Sequence, residues 1–514
     1  MIEESASKIK IPSSVSLFIV ILTLFVAVSA VAQVTGASQS YARPQTSRDS
    51  GPLTGDGTLP VSKFAYVANQ HANTMSGYMI DSGTGALTEI TGSPFSAGSS
   101  PRSLSADPQG RFLYAANWHS ANVSVYAFDA TTGGLTEIPG SPFAAGAEPA
   151  SVIVDPSGRF VYVANQFGNS ISAYSINPVS GALTEVAGSP FASGVWPVGA
   201  TVSPSGEFLY VANFVSGTVS AYAIDKASGS LTEITGSPFP AGYSVFQIAV
   251  TPSGEFAYAA VQFANSVVAY AISSASGALN EIPGSPYSAG LWPYFVTVDP
   301  SGRFVYTANF LSDNVSGYTI EPTTGALTAI AGSPFPAGIA PGSITTDLSG
   351  KFVYSANFGS HNASAFAIDP STGALSPVSG SPFATGHNPI SVTTVGVDTT
   401  PPVIRVSVTP NKLWPPNGKM VPVAVSGIIT DTGSGVNLNS VAYTVRDEYG
   451  VVQPHGAIAL NPGGGYSFTL FLQASRLGTD LDGRRYTVTV QAKDNAGNSG
   501  SRTNAVTVPH DLGH

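Results

Sequence analysis

"ASVIVDPSGRFVYVANQFGNSISAYSINPVSGALTEVAGSPF", residues 150–191, decides the fold, because the chain writes this unit seven times with small edits. Its last word marks the period. GSPF begins at Gly92, Gly140, Gly188, Gly236, Gly332 and Gly380, and GSPY at Gly284, always a multiple of 48 residues apart. Inside the unit, ASVIV, RFVYVA, SISAYSI and ALTEV are four short runs rich in β-branched and aromatic residues. Asp-Pro-Ser-Gly, a short polar loop and a Ser-Gly turn separate them, which is the punctuation of strands and turns.

Columns of the repeat carry physical meaning. Tyr66, Tyr114, Tyr162, Tyr210, Tyr258, Tyr306 and Tyr354 fill one column, and alanines from Ala68 to Ala356 fill another. Gly85, Gly133, Gly181, Gly229, Gly277, Gly325 and Gly373 never vary. That glycine suits a hairpin position with positive φ, and the alanine suits close approach of neighbouring sheets. Four strands per unit, seven units and no helical period predict an all-β, seven-bladed β-propeller over residues 63–398. The phase predicts how the ring closes. The first unit opens at KFAYVANQ with no inner strand before it, and PISVTTVGV at 389–397 follows the last unit. The C-terminal strand therefore completes the first blade, numbered one below.

Composition narrows the class. Charged residues are 10% of the 514, and apolar runs abound, which is not the signature of disorder. There is no cysteine, so disulfides, a thiol nucleophile and a zinc–thiolate site are excluded. Residues 63–398 hold 7 Lys/Arg against 19 Asp/Glu, a net −12 that repels nucleic acid. At the N-terminus, Lys8 and Lys10 precede VSLFIVILTLFVAVSAVA, which ends in Ala30-Val31-Ala32. This reads as a signal peptide over 1–32, with a flexible linker over 33–62. The run is also close to the length of a spanning helix, so a retained anchor is the other reading. Export to the periplasm, cell surface or medium is expected, with membrane contact through this segment alone.

After Asp398 the repeat stops at TTPP, a stiff linker. The runs VIRVSVT, KMVPVAVSGII, VAYTVRD, YSFTLFL, RYTVTVQAKD and NAVTVP alternate and are parted by Gly/Asp/Asn turns. They predict an immunoglobulin-like β-sandwich over 399–514. Asp431, Asp480, Asp482 and Asp494 fall in its turns, either as turn formers or as Ca²⁺ ligands. Beyond these no metal site is assigned, and no cofactor is expected.

Invariant columns build blades, so function is sought where the repeat edits itself. The loop between one blade's outer strand and the next blade's inner strand varies, and so does the loop between the second and third strands. In an up-and-down blade both emerge on one face of the ring. The polar edits there are His71 and His387 on blade one, Arg102 and His119 on blade two, Glu148 on blade three and His361 on blade seven. Trp118 adjoins them on blade two, and Trp196, Tyr243, Phe246, Trp292 and Tyr294 lie on blades four to six. One side reads as titratable and the other as aromatic. Such a mouth suits carbohydrate or another small polar ligand with an apolar face. The alternative is that the aromatics plug the channel and the histidines are unconstrained surface residues.

YVANQ, YAANW and YVANF, followed by TGALTEI and GSPF, resemble the YVTN-type repeats of the lactonase-like seven-bladed propeller family, which includes 6-phosphogluconolactonases. The resemblance spans 63–398, and the Trp-Asp signature of WD40 repeats is missing. LWPPNGKMVPV at 413–423 and YTVTVQAKDNAGN at 486–498 resemble bacterial Ig-like modules of secreted proteins. Regular repeats, an export signal and an appended adhesion-type module point first to a secreted binding or scaffold protein of the cell envelope, its partner a polar ligand or an envelope protein. The family resemblance implies the competing class, a lactonase acting on a sugar-derived ester. In that case Arg102 holds the anionic substrate or the oxyanion, and Glu148, His119 or His387 activates water.

Overall fold

The computed structural model describes residues 62–398, 400–431, 435–461, 463–494 and 497–510. The signal peptide and nearly all of the linker lie outside the described residues. Seven antiparallel sheets, one per repeat, form the propeller blades, and two further sheets form a sandwich-like C-terminal domain.

Blade three stands for the others. Pro149–Val154 is the inner strand, followed outward by Phe160–Asn165 and Ser170–Ile176. The outer strand comes in two pieces, Leu183–Glu185 and Phe191–Ala192, which pair with opposite ends of Ser170–Ile176. Between them the chain leaves the ladder, and this excursion is the repeated GSP text. It would strand one backbone N–H of the third strand. The serine prevents that, because Ala173 N donates to Ser189 Oγ at 3.1 Å. The same bond recurs in all seven blades at 2.9–3.1 Å. A buried donor left unpaired is costly, which accounts for the fixed serine.

The blades are buried on both faces, so second strands such as Phe112–Asn117 are buried at every residue instead of alternating. Core clusters form between neighbouring blades. Phe352, Tyr354 and Ala356 of blade seven pack with Ala65, Val67 and Tyr78 of blade one, which in turn packs through Phe64 and Met75 on Leu113 and Tyr126 of blade two. The ring closes as the phase predicts. Ser62–Asn69 pairs antiparallel with Pro389–Gly396, matching Phe64 with Val395 and Val67 with Val392. The invariant hairpin glycines have φ of 71–77°. A Cβ on Gly85 would sit 2.3 Å from Phe352 Cδ1 of the preceding blade, so two independent reasons require glycine.

In the C-terminal domain, Val403–Thr409, Met420–Thr430 and Gly465–Gln473 make one sheet. Ala442–Asp447, His455–Ala457, Arg484–Lys493 and Ser499–Val508 make the other. Val423, Val425, Leu472, Val488 and Val506 fill the space between them. A buried ion pair, Arg484 Nη2 to Asp447 Oδ2 at 2.6 Å, seals one edge, with Tyr449 and Tyr486 rings each 4.8 Å from the guanidinium.

Candidate functional site at the channel mouth

Inner strands start at the variable face, and their early residues ring the channel mouth. Arg102, Phe246 and Tyr294 occupy the same repeat position as the small Ala150 and Gly342. They stand at one end of a channel cavity of about 310 Å³, whose wall continues through Ser105, Thr201 and Thr297. Trp118 and Gln166 follow directly on the second strands of blades two and three, and both lie against Arg102.

Arg102 is 7% exposed and reaches across the mouth. Its Nη1 donates to Gln166 Oε1 at 3.3 Å, and its Nη2 lies 3.5 Å from the Tyr294 hydroxyl. The guanidinium carbon is 5.0 Å from the Trp118 ring centre and 6.0 Å from that of Phe246. Cation–π attraction to Trp118 helps hold the charge out of bulk water. The ion pairs among the described residues do not include Arg102; its hydrogen-bond partners are neutral, and the carboxylate that feels its charge is that of Glu148.

Glu148 arrives from blade three with its backbone at φ 53°. Its carbonyl accepts from Gln166 N at 2.9 Å, which ties it to the residue that holds Arg102. Burial pushes its carboxyl above the usual carboxylate range, while His119 and Arg102 pull it back. Glu148 Oε2 is buried without a hydrogen-bond partner, and so are Trp118 Nε1 and Ser100 Oγ. The His119 ring lies 4.6 Å from that of Trp118. Arg102, Trp118, His119, Glu148, Phe246 and Tyr294 thus form one neighbourhood, and the arginine joins the titratable side to the aromatic side.

The other histidines gather elsewhere. His361 and His387 have ring centres 4.1 Å apart, and His71 lies 6.1 Å from His387, at the seam of blades seven and one. His361 Nδ1 accepts from Asn388 N at 3.1 Å, and burial with the two other histidines holds its pKa below the ordinary value. The rings of Phe358, Phe310 and Tyr294 intervene between this cluster and Arg102. His387 and Glu148 are therefore not one constellation.

The aromatic edits form an arc of touching rings that runs Phe167, Trp196, Phe214, Tyr243, Phe263 and Trp292, with steps of 5.0–6.4 Å. Trp196 and Trp292 sit at φ 57° and 55°, an uncommon conformation for a bulky residue. Their backbone N–H groups are held by Asn169 Oδ1 and Asn265 Oδ1 at 2.9 Å. Phe246 and Tyr294 instead face the channel, with ring centres 3.6 Å apart.

Among the acidic turn residues, Asp431 and Asp494 meet Asp398, with one carboxylate oxygen of each within 4.8 Å of the others. Asp494 also accepts from Asn498 N at 2.7 Å and Asn498 Nδ2 at 2.6 Å. Asp480 lies apart from them, bonded to the Tyr449 hydroxyl and Gly483 N, with Asp482 beside it. Reading the sequence missed Asp398 because it ends the propeller text, and missed Gln166 because Gln70 and Gln262 repeat it.

Architecture and site together define a seven-bladed propeller with a charged, half-closed channel mouth. The family profile described as "Lactonase, 7-bladed beta-propeller" matches residues 54–146, 138–246 and 235–336, more than half of the chain, and the chain belongs to that family. Solved structures agree on the fold. A Bacteroides uniformis protein provisionally named a 6-phosphogluconolactonase is 20% identical with a TM-score of 0.58, covering 65% of this chain and 100% of its own. A Bacteroides fragilis protein named in the same provisional way is 21% identical with a TM-score of 0.57, covering 67% and 100%. The Pseudomonas aeruginosa periplasmic gluconolactonase is 20% identical with a TM-score of 0.55, covering 65% and 99%. No curated protein matches the chain.

Proposed function

We propose that this propeller hydrolyses a lactone at the channel mouth. One observation carries the reading: Arg102 is a buried guanidinium hydrogen-bonded to neutral side chains and outside any ion pair among the described residues, so its N–H groups remain for a ligand's carbonyl oxygen beside the Glu148 carboxylate. Glu148, ionised, takes a proton from water as the hydroxide adds to the lactone carbonyl carbon. The oxyanion forms beside Arg102, where a preorganised cation in a dry site is most effective. The ring C–O bond then breaks, and the leaving alkoxide oxygen recovers the proton from Glu148. The product is an open-chain hydroxy acid, whose carboxyl group releases its own proton to solvent and leaves a carboxylate on the arginine. His119 lies near enough to favour the ionised carboxylate. Family membership and the gluconolactonase named above support this reading. The signal-like segment at 1–32 extends it to an exported enzyme, with the C-terminal domain as an Ig-like spacer.

The test is turnover of glucono-δ-lactone followed by pH-stat. Arg102→Ala should lower kcat/KM at least about 100-fold with an unchanged melting curve, the size expected for losing one oxyanion donor. Wild-type protein that only matches the uncatalysed rate would sink the proposal. A second reading, binding of carbohydrate or an envelope protein without turnover, rests on a different observation. Phe167, Tyr243, Leu291 and Ile339 stand about half exposed along the aromatic side of the face.

A further inference from the structure

We infer that the apolar crescent on the variable face is a membrane-docking surface, through which blades three to seven rest on the interface of a lipid bilayer. The inference goes beyond the lactone reading and does not depend on turnover.

The crescent is made by editing one repeat position. The tip of the loop entering each inner strand is His387, Ser99 and Ala147 on blades one to three. On blades four to seven it is Val195, Tyr243, Leu291 and Ile339. These four, with Phe167 and Leu311 from neighbouring loops, are each 43–58% exposed. Equivalent positions in a closed ring of like blades stand at one height, so the four tips reach one plane. Trp196 and Trp292 follow two of them and pack edge-on against Phe167 and Phe263. Trp and Tyr beside aliphatic side chains form the mixture that settles at headgroup level.

The backbone of these tips is already satisfied within the protein. Val195 N donates to Ser216 Oγ at 2.7 Å, Leu291 N to Ser312 Oγ at 2.9 Å and Ile339 N to Ser360 Oγ at 3.0 Å. Their carbonyls accept from Val215 N, Leu311 N and Gly359 N at 2.9–3.2 Å. In water such partners are dispensable, but polar backbone that enters lipid must find them inside the chain. Ser99 N is held in the same way by Ser120 Oγ at 3.1 Å. The loop fold thus makes every tip fit for apolar surroundings, and blades four to seven add the apolar side chain.

Charge favours the same surface. Of the 19 acidic residues in 63–398, only Glu148 and Asp313 stand in loops of this face. The Asp313 carboxylate is turned onto Ala340 N at 2.8 Å. The loops of this face on blades four to seven hold no Lys or Arg. The crescent therefore docks by apolar burial, while the acidic side of the ring points away from anionic headgroups. A second copy of the chain fits less well, because each brings a net −10. Sequence alone confines membrane contact to the segment at 1–32, and this face adds a separate one.

Tryptophan quenching tests the surface, with the full chain and vesicles of phosphatidylcholine brominated on its acyl chains. Wild-type emission should be quenched relative to unlabelled vesicles, and quenching should persist at high salt. Trp196→Phe with Trp292→Phe should remove most of it, which places the contact on this face. Leu291→Ser with Ile339→Ser should require at least about tenfold more lipid for half-maximal quenching, with an unchanged melting curve. Val179→Ser, at a 90% exposed position on the opposite side, should change nothing. No quenching of the wild type, or quenching indifferent to the Leu291 and Ile339 variants, would overturn the inference. Quenching that appears only with added phosphatidylglycerol and vanishes at high salt would overturn it too. So would a dimer in vesicle-free solution that the same variants dissociate, which would assign the crescent to a second copy.

Discussion

The Tyr354 hydroxyl of blade seven donates to the Gly85 carbonyl of blade one at 3.0 Å, across 269 residues of sequence. It is the ring-closing copy of a link that joins successive blades. Tyr162 to Gly229, Tyr210 to Gly277, Tyr258 to Gly325 and Tyr306 to Gly373 repeat it at 2.7–3.0 Å. Tyr114 is the exception, its buried hydroxyl lacking a partner. Removing a bonded hydroxyl strands the carbonyl, whereas removing an orphaned one strands nothing. Tyr354→Phe should therefore lose about 1 kcal/mol in urea unfolding, and Tyr114→Phe should be neutral or slightly stabilising. Equal losses would mean the hydroxyl link is not what these tyrosines contribute.

Closure by the C-terminal strand makes a second prediction. Ending the chain before Pro389 removes Ile390, Val392 and Val395, each under 7% exposed, and leaves Ser62–Asn69 as an open edge. Burial of each such side chain is worth roughly 1.5–3 kcal/mol, so the loss approaches the whole stability of an ordinary domain. The open edge invites pairing between molecules. Ending the chain after Asp398 keeps that strand and should give a soluble propeller. Matching solubility and melting of the two truncations would show that blade one does not need its inner strand.

Much of this was legible in the sequence because a repeat writes its architecture in phase. The 48-residue step, the missing first inner strand and its late replacement at 389–397 fix blade number and closure together. The split outer strand was not legible, since a two-residue piece such as Phe191–Ala192 has no periodicity to detect. The site was half legible. Arg102, His119 and Glu148 stood out as edits, but Arg102 meets Tyr294 192 residues away because the ring folds blade two towards blade six. Loop position alone placed the histidines with them, whereas the structure gathers His71, His361 and His387 at the closure seam.

The hairpin glycines allow strain and clash to be measured separately. Gly85 has φ 75° and no room for a Cβ, while Gly206 has φ 68° and nothing within 4 Å. Gly206→Ala should cost about 1 kcal/mol, the backbone contribution alone. Gly85→Ala should cost clearly more, because Phe352 must also move. Similar chemical-denaturation midpoints for the two variants would remove the packing part of that account.

His361 gives the seam an acid dependence. Its folded pKa is depressed below 6.5 by burial and by His387 and His71, and its Nδ1 must stay unprotonated to accept from Asn388. The unfolded chain therefore binds this proton more readily. The contribution is complete above about pH 6.5 and is lost as pH falls towards the folded value. Asn73, Asn169 and Asn265 fill the same repeat position and accept the same kind of bond without titrating. His361→Asn should flatten the decline of melting temperature between about pH 7 and pH 5. An unchanged slope would place the acid sensitivity elsewhere.

The last prediction concerns the pH dependence of turnover. Glu148 must be ionised to take a proton from water, and burial raises its pKa above 4.5, so activity should fall on an acid limb centred above that value. Arg102 and His119 act in the opposite sense and hold the limb down. Arg102→Gln removes one of these positive charges, so it should do two separable things. It should lower kcat at every pH, since the oxyanion loses its cation. It should also move the acid limb of kcat/KM to higher pH, since Glu148 ionises less readily without the charge. His119→Gln should shift the limb in the same direction while leaving the high-pH plateau largely intact. A limb that stays fixed in both variants would show that Glu148 is not the group being titrated.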